Sequence, residues 1–268
     1  MSLVELCRYG DLNGEYWEYG EYASEQQLAA VKAALHRGDD VNSTGEYGWT
    51  ALMWAVVKGH NPIVKHLLEQ PDIGVNCQDD DSYTALGFAA SYGNLEAVQL
   101  LLDDWRVDVN RSNSLGLNPL HLATYLVHTE VTKLLVTHHR MKVNCSGNNG
   151  FTPLHLAAGH GHAEIVQVLM GDSRVEVNCT NNLGGTPLHN AAEEGHAEIV
   201  QALMGEPRVD VNCMDTGGCT PLHFAAWFNP SADVIRALVD NGADIEARDY
   251  YQFTPLHWAA MFLSLIHI

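Results

Sequence analysis

The chain has 268 residues, and its 33 acidic and 14 basic side chains give a net charge of −19. Acidic side chains repel phosphate groups, so this charge argues against binding to nucleic acid or to an anionic membrane surface. No window of about 18 uninterrupted apolar residues occurs, so the sequence predicts no membrane-spanning helix.

Residues 1–46 are predicted to form an N-terminal capping repeat. Leu3–Tyr9 reads as a first helix and Leu28–Leu35 as the second, with an acidic and aromatic insert near residues 13–27 between them. The insert, which contains Tyr16 and Trp17, shows neither a helical nor a strand period. It is either a tethered, partly disordered loop or a flap that grips a ligand.

One four-residue phrase recurs through the rest of the chain. Its copies begin at residues 50, 84, 118, 152, 186, 220 and 254, so successive copies are 34 residues apart. The full form is Thr-Pro-Leu-His, while the copies at Thr50 and Thr84 lack the proline and the histidine. A period in this range is typical of stacked supersecondary units. Residues 47–250 are therefore predicted to be six consecutive 34-residue repeats.

Residues 152–178 illustrate the local structure that is expected of one repeat. Thr152 is a good helix N-cap, and Pro153 suits the first helical position, where no N–H is needed. Gly161 can end this helix and turn the chain. A second helix is expected over residues 164–170, followed by a short extended segment over residues 174–178. Neither helix is long enough to be stable alone, so neighbouring units must stack.

These residues resemble the ankyrin repeat family. The pattern Gly-x-Thr-Pro-Leu-His-x-Ala-Ala-x-x-Gly-His stands at residues 150–162 and nearly unchanged at residues 184–196, and Val-Asn elements follow at Asn178 and Asn212. The resemblance covers roughly residues 47–268. It implies a mainly α fold, an ankyrin-repeat solenoid of helix-turn-helix units that stack and are joined by β-hairpin-like loops.

The C-terminal segment departs from the pattern. Residues 251–268 are predicted to be a truncated last repeat that stops within or just after its first helix. The stretch Phe262–Ile268 is apolar, whereas a solenoid normally ends in a polar cap. We therefore expect fraying and self-association at this end.

A ladder of histidines invites a metal-site interpretation, which the spacing disfavours. Stacked helices lie about 8–10 Å apart, so ladder neighbours cannot share one ion. We expect each imidazole to bond a backbone or hydroxyl group of its own or the adjacent unit. The five residues are His121, His155, His189, His223 and His257.

Cys77, Cys145, Cys179 and Cys213 occupy one register, and the same spacing makes disulfides between adjacent units improbable. Reduced thiols, together with the lack of a signal-peptide pattern, predict a cytoplasmic protein, with a nuclear location also open. No catalytic motif is present, so we expect no enzyme activity and no cofactor.

Candidate partner-binding residues come from the repeat register. In the ankyrin family, partners commonly contact loop tips and the exposed positions of the first helix on the concave face. Aromatic side chains at such positions suit recognition, although each could instead be packed in the core. The predicted set is Trp49, Tyr83, Tyr92, Tyr125, Phe151, Glu193, Glu194, Trp227, Phe228 and Phe253. Its acidic members could attract a basic peptide or merely keep the surface solvated.

The sequence thus predicts a scaffold or adaptor that binds a protein or peptide along its concave face and loop tips and is a monomer when full length. The alternative is a recognition fragment of a larger enzyme or channel, such as a ubiquitin-ligase subunit or a kinase, whose effector part is missing.

The resemblance also suggests a modification site. Ankyrin domains are substrates of an asparaginyl hydroxylase that prefers a Leu eight residues before the target and an acidic residue two before it. Leu102, Asp108 and Asn110 satisfy this pattern. The other interpretation is that Asn110 holds adjacent units in register by hydrogen bonding.

Overall fold

The computed structural model describes the backbone of residues 1–9, 21–228 and 231–266, and the side chains of residues 1–8, 25–228 and 231–261. Among the described residues, the regular secondary structure is helical apart from one isolated bridge between Thr44 and Thr50. The chain divides into two compact units, residues 1–141 (unit 1) and 142–268 (unit 2). The predicted fold class is confirmed.

Helices come in pairs along the chain. The first helices are α1 (Leu3–Tyr9), α3 (Ala51–Val57), α5 (Ala85–Ser91), α7 (Pro119–Tyr125), α9 (Pro153–Gly159), α11 (Pro187–Glu193), α13 (Pro221–Trp227) and α15 (Pro255–Ile266). The second helices are α2 (Glu21–His36), α4 (Asn61–Leu68), α6 (Leu95–Asp103), α8 (Thr129–Thr137), α10 (Ala163–Met170), α12 (Ala197–Met204) and α14 (Ala232–Asp240). Within each unit, first helices pack on first helices and second helices on second helices.

The phrase determines where each first helix begins. Thr152 has extended backbone angles and its Oγ1 accepts from the His155 backbone N–H, while Pro153 occupies the first turn. Gly161, with φ of 80°, makes the turn that follows the helix. The buried core is formed by the leucine of the phrase and the alanines behind it, such as Leu154, Ala157 and Ala158.

The loops between pairs are hairpin-like without being strands. Each closes with a backbone hydrogen bond over four residues, such as that from the Asn181 N–H to the Gly185 carbonyl, 2.9 Å. Successive loops within a unit are also linked: the N–H of Thr216 donates to Leu183 O and that of Tyr250 to Gly217 O. The predicted extended segment at 174–178 is wrong, because this stretch makes two consecutive turns.

The capping repeat differs from its prediction in one respect. The second helix, α2, begins at Glu21 and not at Leu28, so residues 21–27 of the predicted insert are helical. Its sequence lacks a clean apolar period, which is why the prediction missed it. Residues 13–20 of the insert lie outside the described residues. At the other end, α15 has 12 residues, whereas α13 has seven.

Candidate functional site

The candidate site is built at the C-terminal ends of the first helices. The repeat fixes their length at seven residues in α5, α7, α11 and α13, so the last helical residue and its C-cap recur in one register. Six predicted binding residues occupy these positions: Tyr92, Tyr125, Glu193, Glu194, Trp227 and Phe228. The equal spacing places them on corresponding surfaces of their helices.

In unit 1, the two tyrosines of this register point to solvent. Tyr92 is 57% exposed and Tyr125 is 49% exposed. Trp49 and Tyr83 are half-buried instead, in an aromatic cluster with Trp54 and Phe88. The ring centroids of Trp49 lie 4.4 Å from Trp54 and 4.5 Å from Phe88. Trp49 and Tyr83 therefore belong to the packing beneath the surface as much as to the surface.

In unit 2, the same register carries aromatic and acidic side chains on two packed helices, α11 and α13. Phe228 is 49% exposed, while Trp227 is half-buried and meets the edge of Trp258 with centroids 5.5 Å apart. Glu193 is half-buried, and burial raises the pKa of its carboxyl group, with a further contribution from Glu194. A raised pKa marks a carboxylate that would gain from a cationic partner.

The remaining predicted residues, Phe151 and Phe253, lie at the base of the loops. Phe151 is half-buried with its ring edge-on to His155, at 5.7 Å between centroids. Phe253 is 39% exposed, and its backbone carbonyl accepts a hydrogen bond from His223. Both serve the stacking of repeats in addition to presenting an aromatic ring.

Sequence reasoning missed two sets of residues. The fourth residue after the capping threonine carries the rings that pack beneath the site, at Trp54, Phe88, Phe224 and Trp258. Loop tips three residues before the threonine carry exposed apolar side chains, at Tyr47, Leu115, Leu183 and Tyr251. A comparison of the repeats at those two columns would have found both sets.

The histidine ladder is structural, as predicted. The Nε2 atoms of His155, His189 and His223 donate to the carbonyls of Gly185, Cys219 and Phe253 at 2.9–3.1 Å. A carbonyl only accepts, so the proton is on Nε2 and Nδ1 accepts from the capping threonine. Burial lowers the pKa of each of these imidazoles, to about 4 for His155. Both nitrogens are thus used in the neutral form.

A second set of histidines begins the second helices. His162 is half-buried at the N-cap of α10. At the equivalent position, Nε2 of His196 bonds Gly159 O at 3.1 Å, and its ring lies so close to Gly161 that a Cβ there would meet it at 2.9 Å. The contact explains why a glycine stands before the histidine in these repeats: the glycine leaves room for the imidazole of the next repeat.

The six cysteines are all free thiols. Cys179 lies 3.3 Å from Thr152 Oγ1 and 3.8 Å from His155 Nδ1, a geometry that could be mistaken for a nucleophile and its base. However, burial raises the pKa of the Cys179 thiol, and that of Cys219 is raised to about 12. These thiols are protonated at neutral pH and are poor nucleophiles.

Asn110 lies in a ladder of asparagines. Each donates from Nδ2 to a backbone carbonyl 30 residues further along, at 2.6–3.1 Å: Asn42 to Asp72, Asn76 to Arg106, Asn110 to Arg140, Asn144 to Arg174, Asn178 to Arg208 and Asn212 to Gly242. The bonding role that the sequence suggested for Asn110 is confirmed. Its hydroxylation stays a prediction, which peptide mass spectrometry after incubation with such a hydroxylase would test.

The comparisons with known proteins agree with this geometry. The family model for ankyrin repeats (3 copies) matches residues 21–113, 105–181, 172–249 and 188–266. The chain therefore belongs to the ankyrin repeat family. Ankyrin repeats are generally protein–protein interaction modules, and the family is a non-catalytic one.

A solved structure shares the fold. The crystal structure of the ankyrin repeat domain of Bcl-3, a unique member of the IkappaB protein family, superposes with a TM-score of 0.73. The two sequences are 21% identical, and the match covers 88% of this chain and 96% of that one. No curated protein sequence matches the chain.

Two further properties concern membranes and metal ions. None of the described helices is long and apolar enough to cross a membrane. Within the same part of the chain, no three histidine, cysteine, aspartate or glutamate side chains come together in a group that could hold a metal ion.

Proposed function

We propose that this chain is an adaptor module that binds a basic peptide or protein segment at the ends of its first helices. The observation that carries the proposal is the pairing in unit 2 of carboxylates with aromatic rings. Glu193 and its C-cap neighbour Glu194 at the end of α11 lie one repeat before Trp227 and its C-cap neighbour Phe228 at the end of α13, and the two helices pack side by side.

This combination suits arginine or lysine. An aromatic face attracts a cation through its quadrupole, and a neighbouring carboxylate adds a charge-assisted hydrogen bond. Glu193 is half-buried, so binding a cation there would also relieve the desolvation of its carboxylate. The net charge of −19 would speed the approach of a basic partner at low ionic strength.

The exposed tyrosines of unit 1 supply a second contact area in the same register. Tyr92 and Tyr125 are presented on short helices that are anchored by packing, so ordering them on binding loses little side-chain entropy. Nothing in this mechanism requires catalysis or a cofactor. We propose that the protein is a monomer and acts in the cytoplasm or nucleus, where its six thiols would stay reduced.

Peptide selection tests the charge and the location together. Random peptides displayed on phage would be selected against the full chain, and we expect the selected sequences to be rich in arginine and lysine. The double variant Glu193→Gln with Glu194→Gln should weaken the selected peptides by roughly tenfold, because two carboxylates are lost at unchanged shape.

The matched control is Val239→Ala, an exposed position on the second helix α14 of the same unit. Selected peptides without basic residues would contradict the proposal. So would peptides that bind the double variant and the wild type equally.

A further inference from the structure

A tryptophan outside the candidate site is almost fully exposed. Trp105 follows α6 in unit 1 and is 83% exposed, more than any other large apolar side chain in the described part of the chain. It lies at the ends of the second helices, whereas the candidate site lies at the ends of the first helices. An exposed tryptophan is unusual unless it contacts something, because its burial would stabilise the protein by several kcal/mol, roughly 2–3.

The backbone that carries Trp105 is held in place on both sides. Its neighbours Asp104 and Arg106 form a bidentate ion pair, with the shorter N–O distance 2.6 Å. The Arg106 guanidinium also donates to Leu68 O at 2.6 Å, and Arg140 donates to the carbonyl of Trp105 at 3.1 Å. The indole is therefore presented on an ordered loop, so a ligand that binds it would order little of the chain.

Equivalent loops in other repeats show whether the loop needs an aromatic residue between its ion-paired neighbours. In unit 2, Arg174 pairs with Asp172 and Arg208 with Glu206 in the same arrangement. The residues between these partners are Ser173 and, at the other position, Pro207. The ion-paired loop thus forms without an aromatic side chain, and Trp105 is not needed to build it.

Trp105 forms one wall of a surface pocket of about 620 Å³. The apolar lining is Leu68, Pro71, Leu100 and Trp105, and the polar lining is Lys65, Glu69, Asp103, Asp104 and Arg106. The pocket is widely open to solvent, and its apolar residues offer contact area for a large aliphatic or aromatic side chain.

The charges around the pocket define the partner further. Asp104 and Arg106 neutralise each other, which leaves the exposed carboxylates of Glu69 and Asp103 against the single ammonium group of Lys65. Glu69 is bonded to the side chain of His66 and Asp103 to that of Gln99, contacts that a stronger cationic donor could replace. The lining thus carries three carboxylates and two cationic groups, a net charge of −1, around its apolar residues.

We propose that this pocket is a second docking surface, which binds a short segment carrying a bulky apolar side chain next to an arginine or lysine. The apolar side chain would lie on Leu68, Leu100 and Trp105, and the cation would reach Glu69 and Asp103. The proposal does not depend on the function proposed for the first-helix ends, since the two surfaces share no residue.

A titration followed by nuclear magnetic resonance tests it on the full chain. The probe is a short synthetic peptide with two leucines flanked by arginines, and matched peptides replace the leucines by alanine or the arginines by glutamate. Each of the six tryptophans carries one indole N–H group, and the Trp105 signal is identified as the one that the Trp105→Ser variant lacks. Serine is the residue at this place in a later repeat, so the variant should keep the urea midpoint of the wild type.

We expect the leucine–arginine peptide to shift the Trp105 signal saturably and both altered peptides to shift it much less. Trp105→Ser should weaken that binding at least fivefold, on the order of 1 kcal/mol, while Trp105→Phe retains most of it. A Trp105 signal that stays still, or that responds equally to all three peptides, would overturn the proposal. A lowered urea midpoint in Trp105→Ser with unchanged peptide affinity would overturn it too, because Trp105 would then be a packing residue.

Discussion

The repeats that begin at Thr152, Thr186 and Thr220 and those that begin at Thr50 and Thr84 use one 34-residue frame but stabilise it differently. The first group, in unit 2, has a buried histidine in each repeat that bonds its own cap and a carbonyl of the next repeat. The second group, in unit 1, has Met53 and Gly87 at the histidine position, and neither side chain can donate to a carbonyl.

The repeats that begin at Thr50 and Thr84 lack this imidazole link, and a cluster of aromatic rings packs beside the vacant histidine position. The ring centroid of Trp49 lies 4.4 Å from that of Trp54 and 4.5 Å from that of Phe88, and Tyr83 stacks on Phe88 at 5.2 Å. The ladder of asparagines is common to both units. The difference teaches that the asparagine ladder and the helix packing define the repeat, while the histidine position can be filled by either polar or apolar means.

The largest expected effect comes from placing leucine at the histidine position of the phrase in both groups of repeats. His189→Leu should lower the free energy of unfolding by about 2–3 kcal/mol, because the buried carbonyl of Cys219 loses its partner. Met53→Leu conserves volume and breaks no such bond, so it should change the same quantity by less than about 1.5 kcal/mol. Urea denaturation followed by circular dichroism measures both.

The exposed His160 supplies the control, since His160→Leu in unit 2 removes a histidine that is outside the ladder. Equal losses for His189→Leu and Met53→Leu would show that the imidazole contributes only its volume.

The second largest difference between the two groups of repeats should be the loss of stability at acidic pH. The folded-state pKa of His155 is about 4, below its ordinary value of 6.5, so the folded state favours the neutral imidazole. The stabilisation is complete above pH 6.5 and is lost as the pH falls from there toward 4, because only the unfolded chain takes up the proton. Between pH 7.5 and pH 5 we expect a loss on the order of 2 kcal/mol from this residue.

His155→Gln provides the test of that assignment, because glutamine can still donate to Gly185 O but does not titrate. Its urea midpoints at pH 7.5 and pH 5 should differ less than those of the wild type. If the variant and the wild type lose the same stability, another group is responsible.

The smallest expected effect is a gain in unit 1. Val127 has φ of 63°, a left-handed conformation that is strained for a β-branched residue, and glycine fills this place at Gly59, Gly93, Gly161 and Gly195. Val127→Gly should raise the free energy of unfolding by about 1 kcal/mol. Thermal unfolding would show it, and Gly161→Val should have the opposite sign. A destabilised Val127→Gly would mean that the valine packs usefully.

Much of the fold could be predicted from the sequence because the information is local and repeated. A capping threonine, a proline in the first turn and a turning glycine such as Gly161 identify each helix pair without knowledge of the neighbours. The start of α2 at Glu21 could not be predicted in this way. Its first residues are polar, and its first turn lacks the apolar spacing on which the prediction depends.

The candidate site was harder to predict because its composition is set by contacts between repeats. The column that contains Tyr125 and Trp227 was identified, but the sequence does not show that Trp227 packs against Trp258, which is 31 residues away. The hydrogen bonds by which Arg106 and Arg140 hold the loop of Trp105 were missed for the same reason. Arg106 binds a carbonyl 38 residues earlier, and nothing local marks that carbonyl as lacking a partner.

The central claim is that aromatic side chains at the ends of the first helices serve recognition. It is tested most directly by measuring peptide affinity and urea midpoint on the same preparation of Phe228→Ala, with a peptide selected against the wild type. Because Phe228 is 49% exposed, the account predicts that affinity falls by roughly five- to thirtyfold, or 1–2 kcal/mol, while the midpoint is unchanged. A lowered midpoint with unchanged affinity of the folded protein would contradict it.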